Sequence, residues 1–177
     1  MQTIQKRMTG KMEGDFVVFL IGMRVNRWWR VMQWIRVALA MPPMVQELEA
    51  NPELGFLGAE TWFGRTTLML SYWRSMDHLM AYAKNREAKH MPAWRSFNKL
   101  VGTSGDVGIW HETYRLHPGD YENVYVNMMP FGLGKVAELI EASGKRDSAA
   151  GRLSSGSRVA PVNPKTQAPE GRLEQTA

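Results

Sequence analysis

The run FVVFLIGMRVN, residues 16–26, narrows the folds open to this chain more than any other stretch. It is rich in β-branched and large apolar residues, so it reads as a strand. Its first half is apolar at consecutive positions, which predicts a central place in a sheet covered on both faces. Arg24 and Asn26, two residues apart, leave the strand end on one face. Two readings stand for them. They solvate the strand end, with Asn26 capping the next helix, or they hold an oxygen-bearing substrate.

The order of elements around this strand predicts the fold class. RWWRVMQWIRVALAM (27–41) reads as a helix that stops before Pro42-Pro43. Apolar residues from Trp28 to Leu39 cover most of its wheel, and Arg27, Arg30, Gln33 and Arg36 leave a narrow polar stripe. Such a helix is expected to be buried on two sides; a basic amphipathic membrane binder is the competing reading. MVQELEAN (44–51) is a further helical piece. GFLGAETWFGRTTLMLSYW (55–73) reads as two strands joined at Gly64-Arg65. A helix then starts at the capping residue Ser75 and is expected to bury Met76, Leu79, Met80 and Ala83. MPAWRSFNKLVG (91–102) reads as a short helix, with Pro92 in its first turn and Gly102 past its end. DVGIWHETYRL (106–116) and YENVYVNM (121–128) read as strands, and GKVAELIEA (134–142) as a last helix.

This is the β-α-β-β-α-β order of an α+β, ferredoxin-like fold, with an extra strand. Residues 1–14 read as a flexible N-terminal arm, 15–142 as the domain, and 143–177 as a disordered tail. The tail has no aromatic residue and too little apolar surface to offset its ordering entropy. One sheet face is left open, and pairing of two sheets in a homodimer would cover it.

Composition removes several function classes. The absence of cysteine excludes disulfides, zinc-thiolate sites and cysteine nucleophiles. The polar N-terminus lacks the apolar stretch of a signal peptide, and no apolar run approaches the ~20 residues of a spanning helix. A cytoplasmic location is therefore expected. The net charge is +5, but residues 1–142 hold 16 Lys and Arg against 14 Asp and Glu, while 143–177 hold 6 against 3. The excess sits mostly in the tail, so nucleic acid is not an expected partner. There is no phosphate-binding glycine loop, HExxH or GxSxG.

The remaining candidates lie near the second helix and the WHETY strand. Tyr72, Trp73, Tyr82 and Trp94 form either core or the wall of an apolar pocket for a flat ligand. His90, where the chain turns after the helix, is either surface or a base and haem ligand. Strand alternation turns His111 and Thr113 one way and Trp110, Glu112 and Tyr114 the other. His111 and Glu112 therefore do not form a dyad.

Taken together, YWRSMDHLMAYAKN (72–85), PAWRSFN (92–98), GDVGIWHETY (105–114), YENVYVNM (121–128) and FGLGK (131–135) carry a family likeness. Over about residues 10–140 the chain resembles the small monooxygenase-like proteins grouped with a fumagillin-pathway monooxygenase. The resemblance implies the dimeric α+β barrel of the antibiotic-biosynthesis monooxygenase superfamily. It implies an oxidoreductase acting on a small hydrophobic or aromatic substrate, with His90, Asn26 and Arg24 as catalytic candidates. Tyr72, Trp73, Tyr82, Trp94 and His111 become substrate-binding candidates. Haem-degrading members of the superfamily carry Asn, Trp and His at corresponding places. Here Asn26 and His90 match two of them, Tyr82 stands where the Trp would be, and the spacing to His90 is shorter. Haem held by His90 is thus the alternative cofactor reading, and a non-catalytic ligand-binding or membrane-surface dimer is the second alternative.

Overall fold

A computed structural model of the chain describes residues 2–85 and 104–154. Its centre is a four-stranded antiparallel sheet in the order β3-β4-β2-β5, formed by β2 (Phe16–Val25), β3 (Phe56–Trp62), β4 (Leu68–Trp73) and β5 (Val107–Leu116). This is a ferredoxin-like order, and β2 is central, as its two-sided apolarity requires. It pairs with β5 over its full length, from Phe16↔Leu116 to Val25↔Val107, and with β4 from Val17↔Trp73 to Ile21↔Met69.

One face of this sheet carries the helices α1 (Val31–Ala38), α2 (Met41–Ala50) and α3 (Met76–Lys84). They make two separate cores. Toward one end, Val17, Phe56 and Trp73 meet Leu48 of α2 and Leu79 and Tyr82 of α3. Toward the other, Met23, Val25 and Val107 meet Trp34, Val37 and Ala38 of α1. Each buried side chain of this size contributes about 1.5–3 kcal/mol. α3 starts where Ser75 accepts the His78 amide. It is rotated from the expected face: Leu79 and Tyr82 are buried, whereas Met80 and Ala83 face outward. The Tyr82 ring, lying against Trp73, takes the place a methionine was expected to fill.

Two helix assignments change. α1 does end before Pro42-Pro43, as expected, but these prolines also open α2, which therefore begins at Met41 and not at Met44; the first-turn amides need no partner there. α1 is shorter than expected and has no buried residue. It is not sandwiched on two sides, and Trp28, Trp29 and Met32 lie open on its approach and outer face. Asn26 does not cap it. The residue before α1 is Arg30, and the Asn26 amide donates instead to the Gly105 carbonyl.

The larger departure is a second sheet. Residues 4–11, expected within a flexible arm, form β1 (Ile4–Lys11), the centre of a three-stranded antiparallel sheet. Its neighbours are β6 (Tyr125–Met128) and β7 (Glu138–Glu141). The expected last helix is therefore split into a single turn, α4 (Leu133–Val136), followed by β7. α4 lies against the other face of the large sheet, opposite α1–α3, where Leu133 packs with Phe16 and Tyr72. The expected tail also begins too early at 143. α5 (Ala149–Ser154) is anchored by the buried Arg152, which donates to Glu122 at 2.7 Å and to the carbonyls of Arg146 and Asp147.

Candidate functional site

The sheet separates residues that are neighbours in sequence. Tyr72 and Trp73 both lie in β4 and are both buried, on opposite faces. Trp73 belongs to the helix side, where its indole donates to Ser71 Oγ at 3.1 Å, and that hydroxyl donates to the Phe19 carbonyl at 2.9 Å. Tyr82 is on the same side and donates to Glu47 of α2 at 3.0 Å. Burial first, then Glu47, raise its phenol well above the ordinary tyrosine range. Trp73 and Tyr82 thus form core and a helix-to-helix link.

Tyr72 faces the other way, toward α4 and Tyr125. Burial, then Tyr125 and Glu60, push its phenol up to about 12. Tyr125 is also raised by burial, and its oxygen accepts the Gly134 amide at 2.9 Å. Gly132 lies between the two phenols: a Cβ there would stand 3.3 Å from one hydroxyl and 3.9 Å from the other. With φ at +55°, this position also favours glycine for its backbone. Tyr125 and Glu60 had been missed because nothing local in YENVYVNM or GFLGAETW distinguishes them.

Arg24 and Asn26 reach the same sheet end, but each is bonded to a loop. Arg24 donates to Thr66 Oγ1 at 2.8 Å and Asn26 to Gly105. Neither approaches His111, which lies mid-strand opposite Ile21. His90 and Trp94 lie outside the described residues.

His111 does occupy a distinctive position. The register sets Met69, Ile21 and His111 in one row across three strands, and Ser71, Phe19 and Thr113 in the next. These rows, the floor between the two cores on the helix-bearing face, run from the buried Met69 and Ser71 through the half-buried Ile21 and Phe19 to the exposed His111 and Thr113. The imidazole lies 5.8 Å from the Phe19 ring. Among the described residues its nitrogens make no hydrogen bond. By contrast, His78 Nδ1 is 2.7 Å from Ser75 Oγ, and His117 Nδ1 is 2.8 Å from Asp15. His111 and Thr113 thus share a side, and Tyr114, on the reverse, donates to Glu112 at 2.5 Å, as alternation requires. Two grooves of about 390 Å³ each border the β1–β2 turn and include none of the expected site residues. No cluster of three or more metal-ligating side chains occurs among the described residues.

Comparison with known proteins agrees with this architecture. The Monooxygenase af470-like family model matches residues 16–133, from the first residue of β2 into α4. Monooxygenase af470 of Aspergillus fumigatus (strain ATCC MYA-4609 / CBS 101355 / FGSC A1100 / Af293) is 30% identical over 132 residues. That alignment covers 70% of this chain and 46% of the relative, so the chain spans about half the length of the curated protein it matches. Among solved structures, the aldoxime dehydratase OxdRE in complex with butyraldoxime has a TM-score of 0.62 at 14% identity, over 76% of this chain and 41% of that one. A second aldoxime dehydratase gives 0.50 at 11% identity, over 88% and 44%. At these identities the structural likeness concerns the fold alone. The family match spans the whole four-stranded unit and the floor that carries His111, and on that basis the chain belongs to the Monooxygenase af470-like family of monooxygenase-like oxidoreductases.

Proposed function

We propose that the chain is a monooxygenase that binds a small hydrophobic or aromatic substrate on the floor between its two helix-side cores. The observation that carries this reading is His111. It is an exposed histidine without a polar partner among the described residues, with Ile21 opposite it and the Phe19 ring 5.8 Å away. Such a floor offers a flat apolar molecule contact area and one polar group to orient it. Imidazole both takes and gives a proton near neutrality. In this reading His111 removes a proton from an activated C–H or O–H of the substrate. The carbanion left on the substrate gives its electrons to dioxygen and forms a C–O bond, and protonation yields a hydroperoxide. Loss of a second hydrogen from the same carbon then breaks the O–O bond, leaving one oxygen in the product as a carbonyl and releasing the other as water. Thr113, in the next row on the same face, supplies a hydroxyl to the bound substrate.

Homodimerisation belongs to the same proposal. Tyr114 is exposed and Glu112 lies beside it on the face opposite α1–α3, through which two sheets would close a barrel. Light scattering of the purified chain tests this, and a monomer at micromolar concentration would remove the barrel.

The activity test is oxygen uptake with a panel of hydroxylated aromatic compounds. His111→Ala is expected to lower turnover by roughly 10²-fold or more with little change in melting temperature. Turnover equal to wild type would end the assignment of His111. An absorption band typical of bound haem, lost in His90→Ala, would move the chemistry to the haem alternative.

A further inference from the structure

We infer that the sheet end where β2 runs into α1 is a docking rim for an anionic lipid surface. Two separate chain segments build it: residues 24–32 leaving β2, and the β3–β4 loop at 63–67. They are tied by the Val25 amide donating to the Arg65 carbonyl at 2.8 Å, by Arg65 Nε donating to the Val25 carbonyl at 3.2 Å, and by Arg24 donating to Thr66. Large apolar side chains project from both segments: Phe63 is 86% exposed, Trp28 71%, Met32 63% and Trp29 59%. Trp28 and Trp29 contact each other edge to face with ring centres 6.1 Å apart, and the Trp34 indole holds the Trp28 carbonyl at 3.0 Å. The turn is therefore pinned while its aromatic rings face outward.

The charged side chains of these two segments have one sign. Arg24, Arg27, Arg30 and Arg65 belong to the two segments, and Arg36 follows on the exposed side of α1. Residues 24–38 and 62–67 contain no acidic side chain. The nearby Asp106 is buried and already paired with Arg27 at 2.8 Å. The occupant must therefore accept aromatic side chains and carry negative charge. A second copy docking isologously would set these arginines against their own equivalents. A bilayer interface meets both demands, since tryptophan settles at headgroup level and arginine extends its charge to lipid phosphates. No helix among the described residues is long and apolar enough to cross a membrane, so the contact is a surface one. It is independent of the His111 proposal.

The test is co-sedimentation of the full chain with phosphatidylcholine vesicles, with and without phosphatidylserine. Binding is expected to the mixed vesicles and to be at least about tenfold weaker without the anionic lipid. It should fall with added salt and be accompanied by a blue shift of tryptophan emission. The double variant Trp28→Ala/Trp29→Ala, and separately Phe63→Ala, should each weaken it about tenfold or more. Arg30→Glu/Arg36→Glu gives an independent readout should the tryptophan variant fold poorly, and is expected to abolish the preference for anionic lipid. No binding by the wild type, or undiminished binding by these variants, would overturn the inference. So would a change of oligomeric state in the tryptophan variant, which would identify a second copy as the occupant.

Discussion

Gly22→Ala tests whether the large sheet and the β3–β4 loop are packed as closely as the structure requires. A Cβ at Gly22 would stand 2.0 Å from the Thr67 carbonyl oxygen and 2.8 Å from Trp110 Nε1. Ordinary contact begins at 3.4 Å, so the loop would have to retreat by about 1.4 Å. It is not free to do so: the Thr67 amide donates to the Met23 carbonyl at 2.8 Å, and the Met23 amide donates to Thr67 Oγ1 at 2.9 Å. Forcing the methyl in costs about 1–3 kcal/mol in overpacking. Losing the two bonds adds about 0.5–1.5 kcal/mol each. The expected destabilisation is about 2–6 kcal/mol, a large share of the ~5–15 kcal/mol that holds a domain folded. Urea unfolding should then show a midpoint lower by about 1 M or more at unchanged slope. Gly108→Ala is the control. It lies across from Arg24, and among the described residues its Cβ would meet only Asn26 Nδ2 at 3.8 Å and Arg24 Cβ at 3.9 Å. It should be neutral or stabilising by a few tenths of a kcal/mol, about the size of the unfolded-state entropy effect. A Gly22→Ala midpoint within about 0.3 M of wild type would refute the reasoning.

Two further outcomes follow from the same contacts. The Tyr72 phenol is raised from the ordinary ~10 to about 12, so the stability it contributes is complete below pH 10 and is lost as pH rises toward 12. Alkaline unfolding monitored by phenolate absorbance should begin in that window, and Tyr72→Phe should flatten it; an unchanged profile would place the cause elsewhere. Truncation after Ser154 should leave the melting temperature close to that of the full chain. Truncation after Ala142 removes Arg152 and its bond to Glu122 and should cost about 1–3 kcal/mol; equal melting temperatures would contradict the anchoring of α5.

The core order from β2 to β5 was legible because each signal there is local. Two-sided apolarity marks β2, the glycine-containing segment 63–67 marks the hairpin, Ser75 marks the start of α3, and alternation in WHETY sets His111 and Tyr114 on opposite faces. These depend on periods and caps within a few residues, which a chain carries whatever its surroundings. The second sheet was not legible. IQKRMTGK is largely polar and becomes a strand only by pairing with segments more than 110 residues away, Ile4 with Met128 and Gly10 with Leu139. The same pairing overrides the helical pattern of GKVAELIEA, because its backbone bonds to β1 replace those of a helix. Contacts made after folding also decide where the described site candidates lie. Tyr72 and Trp73 are parted by the sheet, Asn26 is drawn to Gly105 instead of α1, and Tyr82 is drawn to Glu47. Local pattern therefore determined which segments are strands and helices around β2, and long-range pairing decided what those segments bring together.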